Sequence, residues 1–143
     1  MKTVRQIVEA KQHKLLSIAP DATVYDALKT MADYEIGALV VLKDGHLAGI
    51  FSERDYARKI ILHGKSSKET LVSEIMTPRV VCVGPEQSVD QCMALMTDKR
   101  VRHLPVLEHK RVIGVISIGD VVKCQIAEAT HEAESLRTYI AAG

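Results

Sequence analysis

The chain has 143 residues, 47% hydrophobic and 26% charged, which is typical of a globular protein that buries one core. Nineteen basic residues oppose eighteen acidic ones, so no overall field would gather nucleic acid or acidic lipid. No apolar run approaches the ~20 residues that a membrane span needs, and the N-terminal MKTVRQ lacks the apolar region of a secretory signal. We therefore predict a cytoplasmic protein with no membrane and no nucleic-acid partner.

Three cysteines, Cys82, Cys92 and Cys124, cannot all pair within one chain. None of them lies in a CxxC motif or at zinc-finger spacing from a histidine. Reduced thiols that fill the core are the simplest interpretation. The sequence therefore predicts no metal site.

An internal repeat organises the chain. At an offset of 65 residues, the stretch 17–57 aligns with 82–122 without a gap. Val4–Val8 also resembles Val72–Met76, so each copy has a short lead-in segment. We predict the first repeat with its lead-in over residues 1–62, a linker over 63–69, the second repeat with its lead-in over 70–127, and a C-terminal helical extension over 128–143.

Each copy reads as strand, helix, strand, strand, helix. Leu15–Ile18 and Val80–Val83 are predicted as short strands that stop before a proline, and Thr23 and Ser88 are predicted to cap the next helix. Methionines and cysteines on this helix recur at helical spacing, which favours a core face over a metal or redox face.

The second half of each copy reads as a hairpin followed by a helix. Apolar runs at 38–42 and 47–51 flank a turn sequence KDGH, and runs at 103–107 and 112–116 repeat the pattern. The second helix follows Ser52 or Ser117, and the last helix is predicted to reach about Tyr139. The fold class is therefore α/β, of the α+β kind.

A polar motif of the form GxxSxxD lies where each hairpin meets its second helix, at 49–55 and 114–120. Ser followed three residues later by Asp resembles a capping box, which needs no ligand. A helix N-terminus after a strand is also an anion site, and a short carboxylate there suits the two neighbouring hydroxyls of a ribose. Both interpretations stay open on the motif alone.

With these motifs the chain resembles the CBS domain family over nearly all of residues 14–124. The features that carry the resemblance are GIFSERD (49–55), GVISIGD (114–120), RHLPV (102–106) and IMT (75–77), in the right order and repeated in register. The resemblance implies two copies about a pseudo-twofold axis with two clefts between them. It also implies binding of AMP, ADP or ATP, with NAD or S-adenosylmethionine in some members, a homodimer, and a regulatory role.

The resemblance assigns residues to the two clefts, with Asp55 and Asp120 on ribose hydroxyls and the serines on ribose or phosphate. The adenine is expected between aliphatic side chains such as Val81 and Leu16. The Asp55 cleft takes Ser52, Arg54, Asp55, Arg79, Val80, Val81, Arg102, His103, Leu104 and Pro105. The Asp120 cleft takes Lys14, Leu15, Leu16, Ser17, Ile36, Gly37, Ala38, Ser117, Gly119 and Asp120.

The two clefts are predicted to be unequal. Arg54, Arg79 and Arg102, joined by His103 when it is protonated, are assigned near Asp55 against the carboxylates of Glu53 and Asp55. In the other cleft Lys14 is the assigned cation, and it faces Asp120 and Glu35. We therefore expect phosphate at the Asp55 cleft and room for a bulkier ligand such as NAD at the other. The expected dimer surface consists of apolar positions on the second helices: Ile60, Ile61, Leu62, Val121, Val122 and Ile126.

Three alternatives to a non-enzymatic nucleotide sensor remain. One is a structural dimer with vestigial clefts. Another is an enzyme that uses a histidine base (His13, His46, His63, His103, His109 or His131) or a cysteine nucleophile, although no spacing supports a pair. The third is a nucleic-acid binder that uses the basic run at 99–103, which is more typical of a solvated helix end. The favoured interpretation is a sensor with no catalytic cofactor that acts on a separate effector protein.

Overall fold

From the helix after the first strand to the start of the last helix, the elements of the two copies correspond at the offset of 65 residues. A computed structural model describes residues 2–11 and 14–142. In the first copy it places α1 (Val4–Ala10), β1 (Ser17–Ile18), α2 (Val24–Tyr34), β2 (Ala38–Lys43), β3 (His46–Ser52) and α3 (Glu53–Asp55), which continues as a π-helical turn (Tyr56–Ile61). In the second copy it places α4 (Val72–Ile75), α5 (Val89–Lys99), β4 (His103–Glu108), β5 (Arg111–Ser117) and α6 (Ile118–Ala142). The α+β fold class is confirmed.

Both hairpins use the same tight turn. Asp44 and Gly45 have φ angles of 52° and 80°, and His109 and Lys110 have φ angles of 52° and 66°. Two successive positive φ angles define the type I′ turn, whose twist matches that of paired antiparallel strands. Each hairpin also has a register shift at the same place, after Val41 and after Val106. The predicted hairpins are confirmed.

The first strand of each copy is shorter than predicted. β1 spans Ser17–Ile18 and pairs in parallel with β2, whereas in the second copy Val83 alone forms a bridge to Val106. The backbone of Val83 donates to Pro105 O at 3.0 Å and accepts from Leu107 N at 2.9 Å. Pro105 has no N–H, so the ladder cannot extend toward Val80. The prediction of a strand over Val80–Val83 is therefore wrong.

The two lead-in segments are exchanged between the copies. Val4 and Ile7 of α1 belong to the core of the second copy, and Val72 and Ile75 of α4 belong to the core of the first. Backbone hydrogen bonds fix both segments, from Val4 N to Gln87 O at 2.9 Å and from Val72 N to Ala22 O at 2.8 Å. The boundaries of the sequence repeats stay a prediction, but each core needs residues from both.

Helices α2 and α5 bury the faces that the sequence predicted. Thr23 Oγ1 accepts from Asp26 N at 3.1 Å and Ser88 Oγ accepts from Gln91 N at 3.1 Å, so both predicted caps are present. The sulfur-bearing residues Met31, Cys92 and Met96 are buried in the two cores. The core interpretation of this helix face is confirmed.

The second helices differ in length and leave apolar side chains exposed. α6 runs past the predicted end at Tyr139 to Ala142, and Gly143 lies outside the described residues. Ile60 and Val121 are buried in the two cores, so the prediction that they belong to a dimer surface is wrong. Ile61, Leu62, Val122 and Ile126 are exposed. Among the described residues, no helix combines the length and the apolar character needed to cross a membrane.

Candidate functional site

Both GxxSxxD motifs form capping boxes at the N-termini of α3 and α6. Ser52 N donates to Asp55 Oδ2 at 2.9 Å, and Asp55 N donates back to Ser52 Oγ at 3.3 Å. Ser117 N donates to Asp120 Oδ2 at 2.8 Å, and Asp120 N donates back to Ser117 Oγ at 3.2 Å. The capping interpretation of the motif is therefore correct. The remaining contacts of each carboxylate determine how it can serve its cleft.

The Asp55 carboxylate is buried and has further partners within the protein. Its Oδ1 atom accepts from Thr77 Oγ1 at 3.0 Å and lies 3.1 Å from Lys59 Nζ. Lys59 Nζ also donates to Ile75 O at 3.0 Å, so the lysine joins the motif carboxylate to α4 of the other copy. The i, i+4 spacing of Asp55 and Lys59 is a sequence signal for this pair.

The Asp120 carboxylate has a matching lysine from a different place in the chain. Lys11 Nζ lies 2.8 Å from Asp120 Oδ2 and donates to Val115 O at 2.7 Å. Burial alone would raise the pKa of Asp120, but the hydrogen bonds from Lys11 and Ser117 outweigh it and the pKa is lowered. Lys11 follows the exchanged helix α1, so no local pattern could have placed it here.

A cavity of about 570 Å³ lies at the Asp55 end of the interface between the copies. Eight of the residues assigned to this cleft line it: Ser52, Arg54, Asp55, Arg79, Val80, Val81, Arg102 and His103. Leu104 and Pro105 do not line it because both are buried in the sheet. Sequence reasoning missed Gly37, Ile50, Thr77, Val101 and Ile118 here, whereas Glu53, expected to oppose the arginines, does line the cavity. Contact of these residues with a ligand stays a prediction.

A second cavity of about 350 Å³ lies at the Asp120 end. Eight of its assigned residues line it: Lys14, Leu15, Leu16, Ile36, Gly37, Ala38, Ser117 and Asp120. Ser17, in β1, and Gly119, in the first turn of α6, do not line it, and both are exposed. Sequence reasoning missed Val8, Lys11, His103, Ile113, Gly114 and Val115 here, whereas Glu35, expected beside Asp120, does line the cavity. Three of these missed residues lie on β5, and Val8 and Lys11 arrive with the exchanged lead-in.

Comparison with known proteins agrees with this architecture. The family model for the CBS domain matches residues 4–62 and 72–127, which is most of the chain. The chain belongs to the CBS domain family. Proteins of this family are generally regulatory modules, and CBS domains commonly bind adenosine nucleotides and form oligomers.

Several relatives share the CBS pair. The mitochondrial CBS domain-containing protein CBSX3 of Arabidopsis thaliana is 51% identical over 128 residues, which cover 86% of this chain and 62% of that protein. A putative signal-transduction protein with CBS domains from Burkholderia ambifaria is 53% identical, with a TM-score of 0.85 and coverage of 88% of this chain and 95% of that one. A hexameric CBS-CP12 protein from bloom-forming cyanobacteria is 27% identical, with a TM-score of 0.76 and coverage of 94% and 86%. Because one relative is mitochondrial, the cytoplasmic location stays a prediction.

The two clefts of the CBS pair share one wall. Gly37 and His103 line both cavities, although the sequence assigned each of them to one cleft only. Burial lowers the pKa of His103, and nearby Lys11, Arg102 and Arg54 lower it further, against the opposite effect of Asp120. The lowered pKa disfavours the protonated form in which His103 was counted as an additional cation of the Asp55 cleft.

The cations of the CBS pair collect mainly at the Asp55 cleft. Arg54, Arg79 and Arg102 line this cleft with two carboxylates, Glu53 and Asp55. Arg54 Nη1 donates to the carbonyl oxygen of Arg100 at 2.8 Å, which anchors one guanidinium at the rim.

Two lysines, Lys11 and Lys14, line the Asp120 cleft with Glu35 and Asp120. The expectation that Lys14 alone supplies positive charge there is wrong, since Lys11 also contributes. Cations and carboxylates are thus equal in number in this cleft, whereas cations exceed carboxylates in the Asp55 cleft.

Most of the histidines considered as catalytic bases lie at the surface. His46, His63, His109 and His131 are exposed, and His13 lies outside the described residues. Burial raises the pKa of the Cys82 and Cys92 thiols, which disfavours a reactive thiolate. Among the described residues, no group of three or more metal-ligating side chains comes together.

Proposed function

We propose that this CBS pair binds adenosine nucleotides in its clefts without turning them over and acts as a regulatory module. The observation that carries the proposal is the paired arrangement of two cavities, each beside a Ser and Asp at a helix N-terminus. Both cavities lie in the range of 300 to 1,000 Å³ that small-molecule sites occupy. A helix N-terminus favours anionic groups through its free N–H donors.

The Asp55 cleft is proposed to take the phosphate groups. Arginine grips phosphate oxygens with two parallel hydrogen bonds and stays charged at all relevant pH values. Three arginines line this cleft, and its volume exceeds that of the Asp120 cleft. A longer ligand, such as ATP or NAD, therefore fits the Asp55 cleft better. The charge count from the sequence had instead placed NAD in the Asp120 cleft.

The adenine is proposed to pack between aliphatic side chains. Val80 and Val81 line the Asp55 cleft, and Leu15 and Leu16 line the Asp120 cleft. In this chain of 143 residues there is no Trp and one Phe, and Phe51 is fully buried. Aliphatic contacts with backbone hydrogen bonds would then select the base.

A ribose hydroxyl would compete with the protein partners of the motif carboxylates, which occupy both oxygens of Asp55 but, among the described contacts, only Oδ2 of Asp120. Lys59 and Lys11 are the partners that can move, because lysine is a flexible cation on a long stem. Asp120 is more exposed than Asp55, with side-chain exposures of 23% and 8%. We therefore expect a smaller rearrangement at the Asp120 cleft.

A structural role with vestigial clefts is the second candidate. The observation that favours it is the satisfaction of both carboxylates by capping and lysine contacts without any ligand. In this case the motif would serve folding only. Ligand titration separates the two candidates, because a vestigial cleft binds none of the nucleotides.

The proposal is tested by calorimetric titration of AMP and ATP into Asp55→Ala, Asp120→Ala and Arg102→Ala, with Asp33→Ala on the exposed face of α2 as the matched control. Each cleft variant should lose binding at its own site and keep the other. Arg102→Ala should weaken ATP binding only at the Asp55 cleft. Equal loss in both clefts, or no loss beyond that of Asp33→Ala, would exclude these assignments.

The module is also proposed to act as a homodimer toward a separate effector protein. Ile61, Leu62, Val122 and Ile126 are exposed apolar side chains on the second helices of the two copies, and the exposed fraction of Leu62 reaches 77%. An apolar surface of this kind is typical of a protein interface. Nucleotide occupancy would regulate the effector by favouring one packing of the dimer over another.

A further inference from the structure

Helix α6 extends beyond the core of the second copy. It is 25 residues long, and residues 131–138 are all exposed. The last core residue that it contributes is Val121. Cys124 packs against that core, and Lys2 N donates to Glu128 Oε1 at 3.0 Å, so the exposed run begins after these contacts. Helical segments as short as 131–138 are marginal in water without packing, so a partner that covers this run would stabilise it.

The exposed part of α6 has heptad spacing. The positions 122, 126, 129, 133 and 136 alternate in steps of four and three, as the a and d positions of a coiled coil do. They hold Val122, Ile126, Ala129, Ala133 and Leu136, and all five are exposed. The exposed fractions of Ile126 and Leu136 are 61% and 60%. The opposite face is polar, with His131, Glu134, Ser135 and Thr138.

We propose that α6 forms a parallel, in-register coiled coil with α6 of a second copy of this chain. The inference rests on the homodimer proposed above and names the element that holds it. Ala129 and Ala133 occupy successive d and a positions, and their small side chains let the two helices approach closely. The apolar stripe starts at Val122 inside the module, so one continuous surface would cover both the module face and the extension.

Charge determines the direction of the two helices. Glu132 is a g position and Arg137 is the e position five residues later, which face each other between parallel helices. In the antiparallel register that pairs Ala133 with Ala129, Glu132 would instead lie near its own counterpart and Arg137 near Lys123. Like charges disfavour that register, whereas the parallel pair gains the attraction between Glu132 and Arg137.

The module interface compensates for the short length of the coiled coil. Two heptads rarely associate stably as separate peptides. When two surfaces are joined in one chain, contact at the first makes contact at the second an intramolecular event with a high effective concentration. The exposed apolar residues Ile61 and Leu62 supply a first surface on the module, and α6 supplies the second.

Cysteine cross-linking in the full chain tests the arrangement directly. Leu136→Cys places one thiol at a d position, where a parallel, in-register pair brings the two sulfurs together. His131→Cys is the matched control on the opposite face. Under mild oxidation, non-reducing electrophoresis should show disulfide-linked dimers for Leu136→Cys, whereas His131→Cys should stay at the level of the wild type with its three native cysteines. Equal cross-linking of the two variants would overturn the proposal.

Charge exchange supplies a test that needs no cysteine. Glu132→Arg and Arg137→Glu should each raise the dimer dissociation constant several-fold, and the double variant should return it close to the wild-type value. Light scattering of the wild type distinguishes failure of the homodimer proposal from failure of the coiled-coil proposal. A wild-type monomer at micromolar concentration overturns both the homodimer and the coiled coil. A wild-type dimer without Leu136→Cys cross-linking and without restoration by the double variant overturns the coiled coil alone.

Discussion

The Nε2 atom of His103 lies 3.3 Å from the position that a Cβ atom on Gly37 would occupy. These residues begin or precede equivalent strands of the two copies, and both line both cavities. Gly37 and His103 thus form the wall between the two clefts. A side chain at position 37 would press on His103 and on Glu53, whose Oε1 atom would be 3.2 Å away.

Gly37→Ala is predicted to weaken nucleotide binding in both clefts. The new methyl group displaces side chains that line the cavities, while no backbone atom opposes it at close range, so the fold should persist. We expect the affinity to fall about tenfold, equivalent to ~1.4 kcal/mol. Calorimetry measures the effect, with Gly84→Ala as the control because a Cβ atom there would have its nearest neighbour at 4.0 Å. Loss confined to one cleft would contradict the shared wall.

The lowered pKa of His103 predicts acid sensitivity. The folded protein disfavours the protonated imidazole of His103, mainly because the side chain is buried. The contribution of neutral His103 to the free energy of unfolding is therefore present above the unfolded pKa of 6.5. It is lost as the pH falls below 6.5 toward the lowered pKa of the folded state. Lys11, Arg102 and Arg54 oppose protonation, and Asp120 favours it. His103→Gln should flatten the decline of the free energy of unfolding between pH 7.5 and about 5.5.

Urea denaturation at each pH value measures this effect, and His131→Gln on the exposed part of α6 is the control. If His103→Gln and His131→Gln have the same pH profile as the wild type, His103 does not carry the acid sensitivity.

Removal of the Lys11 ammonium group is predicted to raise the pKa of Asp120. In the native protein this pKa is lowered below 3.8, so Asp120 contributes stability above pH 3.8 that is lost as the pH falls through the folded value. Lys11→Met should reduce that acid-dependent contribution. At pH 7 the loss should be about 1 kcal/mol or less, because the pair is partly exposed.

An NMR titration of the Asp120 side chain in Lys11→Met measures the pKa shift. Lys29→Met, on the exposed face of α2, is the control. An unchanged pKa of Asp120 in Lys11→Met would show that the ion pair does not form in solution.

The glycines that open the two motifs are predicted to differ in their tolerance of a side chain. A Cβ atom on Gly49 would lie 2.8 Å from Thr77 O, a backbone atom, whereas one on Gly114 would lie 3.1 Å from the side chain of Val8. Gly49→Ala should therefore cost about 1–3 kcal/mol of stability by overpacking. Gly114→Ala should cost less because a side chain moves more easily than backbone. Thermal and urea unfolding measure both, and the reverse order would contradict the packing of Met76 and Thr77 on β3.

The repeat made much of the fold predictable from the sequence. Apolar periodicity, capping residues and turn sequences are local signals, and they located the hairpins and the helices that begin after Thr23 and Ser88. The prediction of a strand at Val80–Val83 failed for a non-local reason. Pairing of this segment with β4 needs a backbone N–H that Pro105 lacks. The π-helical turn after Asp55 also has no local sequence signal.

The clefts were only partly predictable because they form between copies. Family resemblance selected residues at fixed motif positions, and most of them line the cavities. Lys11 and Val8 could not be anticipated, because the exchange of α1 into the second copy brings them there. The double role of His103 likewise depends on how the two copies face each other.

Titration of AMP, ATP, NAD and S-adenosylmethionine into nucleotide-free protein tests the central claim most directly. Isothermal calorimetry should show saturable binding of at least one ligand, with a raised Tm for that ligand and no release of phosphate or pyrophosphate. If all four ligands at millimolar concentration leave both the heat signal and the Tm unchanged, the nucleotide-binding role is contradicted and the structural role stands.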